Sequence, residues 1–348
     1  MADPKILTLA TAVPDHVMRQ SDALRLGESL FADQFRDFDR FTDAYRNAGV
    51  EKRHICVPVD WLYQEHLWKE CNQHYLRAAV DLCAEAAQSC FDGAGLEPDE
   101  IDGIVAVSST GLATPSLDAH LTERLGLRRD IKRLPIFGLG CAGGVTGLAR
   151  TAELAKSMPG KRWLFVVVEL CSLTFRARDL CKANIIATAL FGDGAAAAIV
   201  STEGTGPAIL QSGEHIWPHS LEVMGWTIED DGFGVLFSRD IPAIVRNDLM
   251  TPLNAFLARQ SCPISEIDRF LFHPGGAKVL DALDEIIAPP APGFNHARTV
   301  MRQFGNMSAP TALFVYDEAR KDGPLKHALM GALGPGFSAS FLLLEDAA

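Results

Sequence analysis

The sequence predicts an α/β protein assembled from two related halves. Strand-like and helix-like segments alternate along the first half, and the strongest strand is apolar on both faces. Two short stretches of the first half also return in the same order in the second. In chain order, "HYLRAAVDLCAEAAQSCFDGAGL" (74–96) has helical apolar spacing and ends in glycines. "DGIVAVSST" (102–110) is a short β-branched run, followed by a helix around "LDAHLTERLGL" (117–127). The apolar "RLPIFGLG" (133–140) leads to Cys141, and "GGVTGLARTAELAKS" (143–157) continues as a helix with small residues on nearly every face. Such a helix is expected to be buried all round, and "RWLFVVVE" (162–169) reads as a fully buried strand.

The echoes pair "EIDGIVAV" (100–107) with "EIDRFLFH" (266–273), and "FGDGAAAAIV" (191–200) with "LGPGFSASFLLL" (333–344). The boundary falls near "STEGTGP" (201–207), which divides the chain into 1–205 and 206–348. Cys141 follows a strand in the first half and His273 ends one in the second. Ligand groups gather beyond the carboxyl ends of strands in open α/β sheets, so two packed halves can bring these ends together.

Composition narrows the partners. With 348 residues, 48% hydrophobic and 22% charged, the chain is an ordinary globular protein with room for two cores. A net charge of −12 argues against nucleic acid or an anionic membrane as the main partner. No apolar run reaches the roughly 20 residues that span a bilayer. "MADPKILTLATAVPDH" has an acidic residue and an early proline where an export signal needs a basic start and a long apolar stretch. The eight cysteines form no C-x-x-C pair, and the expectation is a cytoplasmic protein with reduced, mostly buried thiols.

Cys141 stands apart from the other seven. A thiol at a strand-to-helix turn lies near unpaired N–H groups and the positive end of the helix dipole, which favour the thiolate. The same N–H groups can donate to an oxyanion, and the flanking glycines are expected to keep the approach clear. The plain alternative is a buried structural thiol. "FLFHPGGAKVL" puts His273 at a strand end before a Pro-Gly-Gly turn, and "QFGNMSAPTALF" puts Asn306 just before a helix start. Asn306 or Ser308 could equally be a helix N-cap, and His273 a core histidine. Together, the thiol, imidazole and carboxamide supply a nucleophile, a base and an amide donor.

"GCAGG", "ALFGDGAA", "HPGG", "GNMSAP" and "GPGFS" occur in the order found in type III polyketide synthases, the chalcone synthase-like branch of the thiolase fold. The resemblance runs from about residue 5 to 345. It implies a five-layered αβαβα fold, a homodimer, and acyl-CoA and malonyl-CoA as substrates, with no metal and no cofactor. It makes Cys141 the acyl-accepting nucleophile, paired as thiolate and imidazolium with His273, and Asn306 the second partner. Phe191 corresponds to a gate between the CoA tunnel and the reaction cavity, and Val235 to the partner gate. Thr174, Ser308, Gly334 and Ser338 are expected along the cavity, and Thr114 at the tip of a loop lining the partner's site. Arg40 and Arg46 are the nearest basic residues to the region that holds CoA phosphates.

A valine at the second gate opens space for long aliphatic starters. The segment "GWTIEDDGFGVLFSRDIP" is similar to bacterial members that make alkylpyrones or alkylresorcinols from fatty acyl-CoA. Three rival readings stand beside this one. They are a 3-oxoacyl-(acyl carrier protein) synthase III-like single condensation, a cysteine-dependent acyl hydrolase, and an inactive acyl-CoA-binding protein.

Overall fold

A computed structural model describes residues 2–32 and 39–346, with the backbone alone at 39–41. Its strands are β1 (Lys5–Ala12), β2 (His16–Arg19), β3 (Lys52–Ile55), β4 (Gly103–Val107), β5 (Lys132–Ile136), β6 (Trp163–Leu170) and β7 (Asp193–Ser201) in the first half. The second half contributes β8 (Ala208–Ile216), β9 (Met224–Glu229), β10 (Gly232–Phe237), β11 (Arg269–Phe272), β12 (Ala328–Gly334) and β13 (Ser338–Glu345). Nine strands hydrogen-bond in the order β11-β12-β13-β8-β1-β7-β6-β4-β5, while β2–β3 and β9–β10 form separate two-stranded ribbons.

The seam between the halves is thin: β1 and β8 pair only at Lys5 and Ala208. Counted outward from it, β1-β7-β6-β4 matches β8-β13-β12-β11. The pairing senses match too. β7 and β13 are each antiparallel to both neighbours, and β4–β6 and β11–β12 are parallel. Both sequence echoes therefore land on equivalent strands, β4 with β11 and β7 with β13.

Alternation along β6 explains the layering. Leu164, Val166 and Val168 face an outer core shared with the helix Trp68–Ala94, whereas Phe165 and Val167 face an inner core. All eight β6 residues are buried and both faces are apolar apart from Glu169, whose carboxylate accepts hydrogen bonds from Ser108 and Ser109. At ~1.5–3 kcal/mol for each large apolar side chain, this strand alone contributes heavily to the fold. The helix Gly143–Ser157 lies between β4, β6 and β7 on one side and β8, β12 and β13 on the other. The helix Thr311–Arg320 joins it, touching β1 and β7 as well as β11 and β12. On the far side the helix Met250–Ala258 packs on β13, where Phe256 stacks on Phe341 at 5.5 Å. Helices outside, two sheet regions and helices between make the five layers of the thiolase-like fold.

The small residues after Cys141 serve this sandwich. A Cβ on Gly144 would lie 2.2 Å from the Ala309 carbonyl oxygen, and one on Gly147 would lie 2.6 Å from the Phe165 ring. Contrary to expectation, these glycines admit neighbouring protein and not a substrate: Gly144 admits the second half, and Gly147 lets the helix settle on β4 and β6 of its own half. Among the described residues no helix is long and apolar enough to cross a membrane.

Candidate active site

Cys141 sits in a short 3-10 turn, Gly140–Ala142, between β5 and the helix Gly143–Ser157. The turn is clamped from the second half. A Cβ on Gly334 would stand 2.5 Å from the Ala142 Cβ, and one on Gly140, at φ +46°, would stand 2.8 Å from Pro335. The thiol is buried and its Sγ accepts a hydrogen bond from the Ser308 hydroxyl at 3.5 Å. Burial pushes it up to about 12; the Ser308 hydrogen bond works against this shift and the Glu169 carboxylate adds to it. The expected lowering by the helix terminus is thus outweighed by loss of water, and the resting form is a neutral thiol.

His273 follows β11, its backbone N–H donating to the Gly331 carbonyl at 2.8 Å. The imidazole is buried, and neither ring nitrogen has a hydrogen-bond partner among the described residues. Burial pulls it down to about 3, so it too rests neutral. Burial works against both charges of the expected thiolate–imidazolium pair, raising the thiol and lowering the imidazole.

Asn306 ties the pieces together. Its side-chain amide donates to the Gly275 carbonyl at 3.1 Å, in the turn after His273, and its Oδ1 accepts the Ser308 N–H at 2.8 Å. Ser308 occupies a left-handed conformation, φ +56°, held by that bond and by the Thr311 hydroxyl donating to its carbonyl at 2.8 Å. The helix begins only at Thr311, after Pro310, so neither Asn306 nor Ser308 is its N-cap. One chain of contacts thus runs from the His273 turn through Asn306 and Ser308 to the Cys141 sulfur.

The cavity at Cys141 is lined by Ser308, Phe191, Cys171, Trp226 and Val235, among others. Val235 on β10 pairs directly across the ribbon with Trp226 on β9. Phe191, Trp226 and Val235 also wall a second pocket, which runs on among Met18, Leu26, Ile55, Leu62 and Phe175. Thr174 lines that second pocket and donates its hydroxyl to the Cys171 carbonyl at 2.8 Å. Gly334 and Ser338 are not among the residues lining either pocket. Gly334 packs on the Cys141 turn, and the Ser338 hydroxyl donates to the Pro335 carbonyl at 2.9 Å. Thr114 is exposed beside the cis Thr114–Pro115 bond and lies outside both pockets of its own chain. Arg46 is exposed and faces Asp43 at 3.5 Å, while the Arg40 side chain lies outside the described residues.

Three further groups belong to the site. Glu169, near the end of β6, is buried and accepts the Ser109 N–H at 2.9 Å; burial pushes it up to about 7. Cys171 follows the same strand and lines both pockets, a position that its place after an apolar run, like that of Cys141, could have signalled. Arg53 is buried against the last carbonyls of the helix Lys182–Leu190. It donates to Thr188 at 2.7 Å, Ala189 at 3.2 Å and Phe191 at 3.3 Å, and burial lowers it to about 10. A cation at a helix C-terminus is favourable, and here it also anchors the Phe191 backbone.

This fold, with a buried thiol, an imidazole and a carboxamide on turns contributed by both halves, is that of an acyl-transferring enzyme. Similarity to known proteins narrows the class. Residues 2–204 match the N-terminal domain, and residues 208–345 the C-terminal domain, of chalcone and stilbene synthases. A 1,3,6,8-tetrahydroxynaphthalene synthase from Streptomyces peucetius subsp. caesius is 35% identical, over 98% of this chain and 92% of that protein. A 3,5-dihydroxyphenylacetyl-CoA synthase from Streptomyces toyocaensis is 27% identical, over 98% and 90%. The crystal structure of the 1,3,6,8-tetrahydroxynaphthalene synthase of Streptomyces coelicolor A3(2), a bacterial type III polyketide synthase, superposes with a TM-score of 0.94, covering 99% of each chain at 26% identity. The chain belongs to the chalcone and stilbene synthase family, the type III polyketide synthases.

Proposed function

We propose that the protein loads a medium- or long-chain fatty acyl group from CoA onto Cys141, extends it repeatedly with malonyl-CoA, and closes the product to an alkylpyrone or alkylresorcinol. The observation that carries the starter assignment is the apolar pocket continuing past Phe191, Trp226 and Val235 among Met18, Leu26, Ile55 and Leu62. Met18, Leu26, Ile55, Leu62 and Phe175 offer an alkyl chain apolar surface, while Arg53, Ser172, Thr174, Asn184 and Thr188 in the same lining make hydrogen bonds within the protein. Burial of methylenes there is worth ~0.8 kcal/mol each.

Each step uses groups in place. The Cys141 proton passes to His273 as the sulfur attacks the acyl-CoA carbonyl, and CoA leaves as its thiol with that proton. Malonyl-CoA then loses CO2, and its enolate oxygen is held by the neutral His273 N–H and the Asn306 amide. One Asn306 hydrogen is taken by Gly275, which leaves the other for the oxyanion. The enolate carbon attacks the Cys141 thioester, the thiolate leaves, and the lengthened chain on CoA can reload. Two bound partners within one enclosed cavity supply much of the acceleration.

The reading includes a homodimer with Thr114 reaching the partner's site. It is supported by the open edge of β5, by exposed Leu112 and Phe137, and by the buried Asp118 carboxylate. Neither Asp118 oxygen has a hydrogen-bond partner, and Arg133 on β5 stands 3.5 Å away. Arg40 and Arg46, on the helix Asp39–Arg46, are assigned to the CoA phosphates.

The relatives named for tetrahydroxynaphthalene favour a second reading, in which the product is a hydroxylated naphthalene without an alkyl chain and no fatty acyl starter is needed. Incubation with a fatty acyl-CoA and radiolabelled malonyl-CoA decides. Alkylated pyrones or resorcinols are expected. A labelled product formed equally without the fatty acyl-CoA shows malonyl priming. A single β-keto product shows synthase III-like chemistry, and free fatty acid alone shows hydrolysis. Cys141→Ala is expected to abolish acyl loading, and a persistent thioester on that variant removes the nucleophile assignment.

A further inference from the structure

A second chemical cluster lies at the other end of β11 and β12 from His273. Cys262, Glu266 and His327 each present a ligand atom, and these three atoms lie within 4.8 Å of one another. β11 is four residues long, so at ~3.3 Å per residue the cluster is more than 10 Å from the catalytic turn. It therefore stands apart from the polyketide chemistry.

The positions are well held. Cys262 is buried, and its N–H donates to the Leu257 carbonyl at 3.3 Å, just past the helix Met250–Ala258. Glu266 closes the 3-10 turn Ile264–Glu266. His327 enters β12 locked by its N–H to the Asp268 carboxylate at 2.8 Å and its carbonyl to the Asp268 N–H at 3.0 Å. Glu345, at the end of β13, meets the His327 Nε2 at 3.2 Å. Glu266 and Glu345 bring two carboxylates to one thiol and one imidazole, and a divalent ion offsets that charge and favours the thiolate, while the Glu345–His327 contact is retained.

We propose that Cys262, Glu266 and His327 bind one divalent transition-metal ion of the zinc class, with Glu345 orienting the imidazole and water completing a tetrahedral shell. Thiolate, imidazole and carboxylate form a borderline-soft set that selects such an ion over Mg2+ or Ca2+. Ligand distances of ~2.0–2.3 Å require the three atoms to close by about an ångström, which side-chain rotation supplies. The carboxylate–imidazole contact is the outer arrangement usual for metal-bound histidine. The bound ion fastens the turn before β11 to the start of β12 and the end of β13, and so stabilises the second half.

The test uses the full-length protein stripped with a chelator and titrated with Zn2+ against a chromophoric chelator, and with Co2+ for its thiolate charge-transfer band. Wild type is expected to bind one ion per chain, to show that band, and to melt at higher temperature with Zn2+. Cys262→Ser is expected to lose the band, and Glu345→Gln to bind Zn2+ ~10–100-fold more weakly. Condensation activity of Glu345→Gln is expected to stay unchanged, because the cluster lies far from Cys141. Wild-type stoichiometry in both Cys262→Ser and His327→Gln overturns the proposal. So does loss of the band in Cys141→Ala but not in Cys262→Ser.

Discussion

Phe191 and Asn306 are joined backbone to backbone. The Asn306 N–H donates to the Leu190 carbonyl at 2.8 Å and the Gly192 N–H to the Asn306 carbonyl at 3.0 Å, which makes a parallel bridge between Phe191 and Asn306. Gly305 makes the turn possible at φ +70°, and a Cβ there would meet the Leu190 oxygen at 2.8 Å. Gly305→Ala is therefore expected to destabilise the fold by ~1–3 kcal/mol and to lower condensation activity as well. Denaturant melts and product formation measure the two effects; an active, fully stable variant removes the bridge from the site.

Asn306→Ala separates the two half-reactions. Loss of one oxyanion donor costs ~100–1000-fold, and that loss is expected in malonyl-CoA decarboxylation. Acyl transfer onto Cys141 is expected to persist, since Asn306 reaches the thiol only through Ser308. Mass spectrometry of the loaded enzyme beside a CO2-release assay reads both steps. Equal loss in both places Asn306 in positioning alone.

Val235→Phe puts a ring opposite Trp226 where the two pockets meet. The variant is expected to shift kcat/KM from long toward short acyl-CoA starters, with a stability cost of ~1–3 kcal/mol from overpacking. An unchanged chain-length profile takes Val235 out of the gate.

The His273 imidazole makes stability depend on acid. An unfolded chain binds the proton near 6.5 and the folded one only near 3, so the unfolded state gains protons first as pH falls. Stability from this group is complete above about 6.5 and is lost toward 3, with a slope of up to ~1.4 kcal/mol per pH unit. Urea melts of wild type and His273→Gln between pH 7 and 4.5 are expected to diverge in slope by that amount. Parallel curves mean that the imidazole is hydrated or paired in solution.

The thiols offer an independent check. Cys181 is exposed, whereas Cys141 is buried and pushed up to about 12. Iodoacetamide is expected to modify Cys181 first at pH 8, and Cys141 only slowly, with a rate still climbing about tenfold per pH unit above 9. Peptide mapping by mass spectrometry measures this. A Cys141 rate that levels off near pH 6 points to a resting ion pair.

Much of this arrangement was legible in the amino acids. The two echoes identified equivalent strands because each strand's apolar pattern and the turn beside it are local properties. The small residues of 143–149 announced a helix start buried on every side, whereas Glu153 and Ser157 further along are exposed, and nothing in them showed that the second half covers one flank. The thiol's acidity has two opposing influences of different legibility: a helix terminus is visible in a sequence, while loss of water is a property of the assembled core. Glu169 was invisible, because one carboxylate in "RWLFVVVEL" does not reveal donors waiting on Ser108 and Ser109. Gly334 and Ser338 were read as cavity residues, yet their partners are the neighbouring turns. Asn306 could be a helix cap in the sequence, and only the backbone shows that it bridges to Phe191 instead.

The matching of β4 with β11 makes the two copies unequal heirs. Where the second ends in an imidazole at position 273, the first ends in valine at 107, and the sulfur comes from one copy alone. Neither copy retains a whole set of reactive groups. Turnover therefore samples the contact between them, and any drift of one copy against the other silences the chemistry while both still look folded.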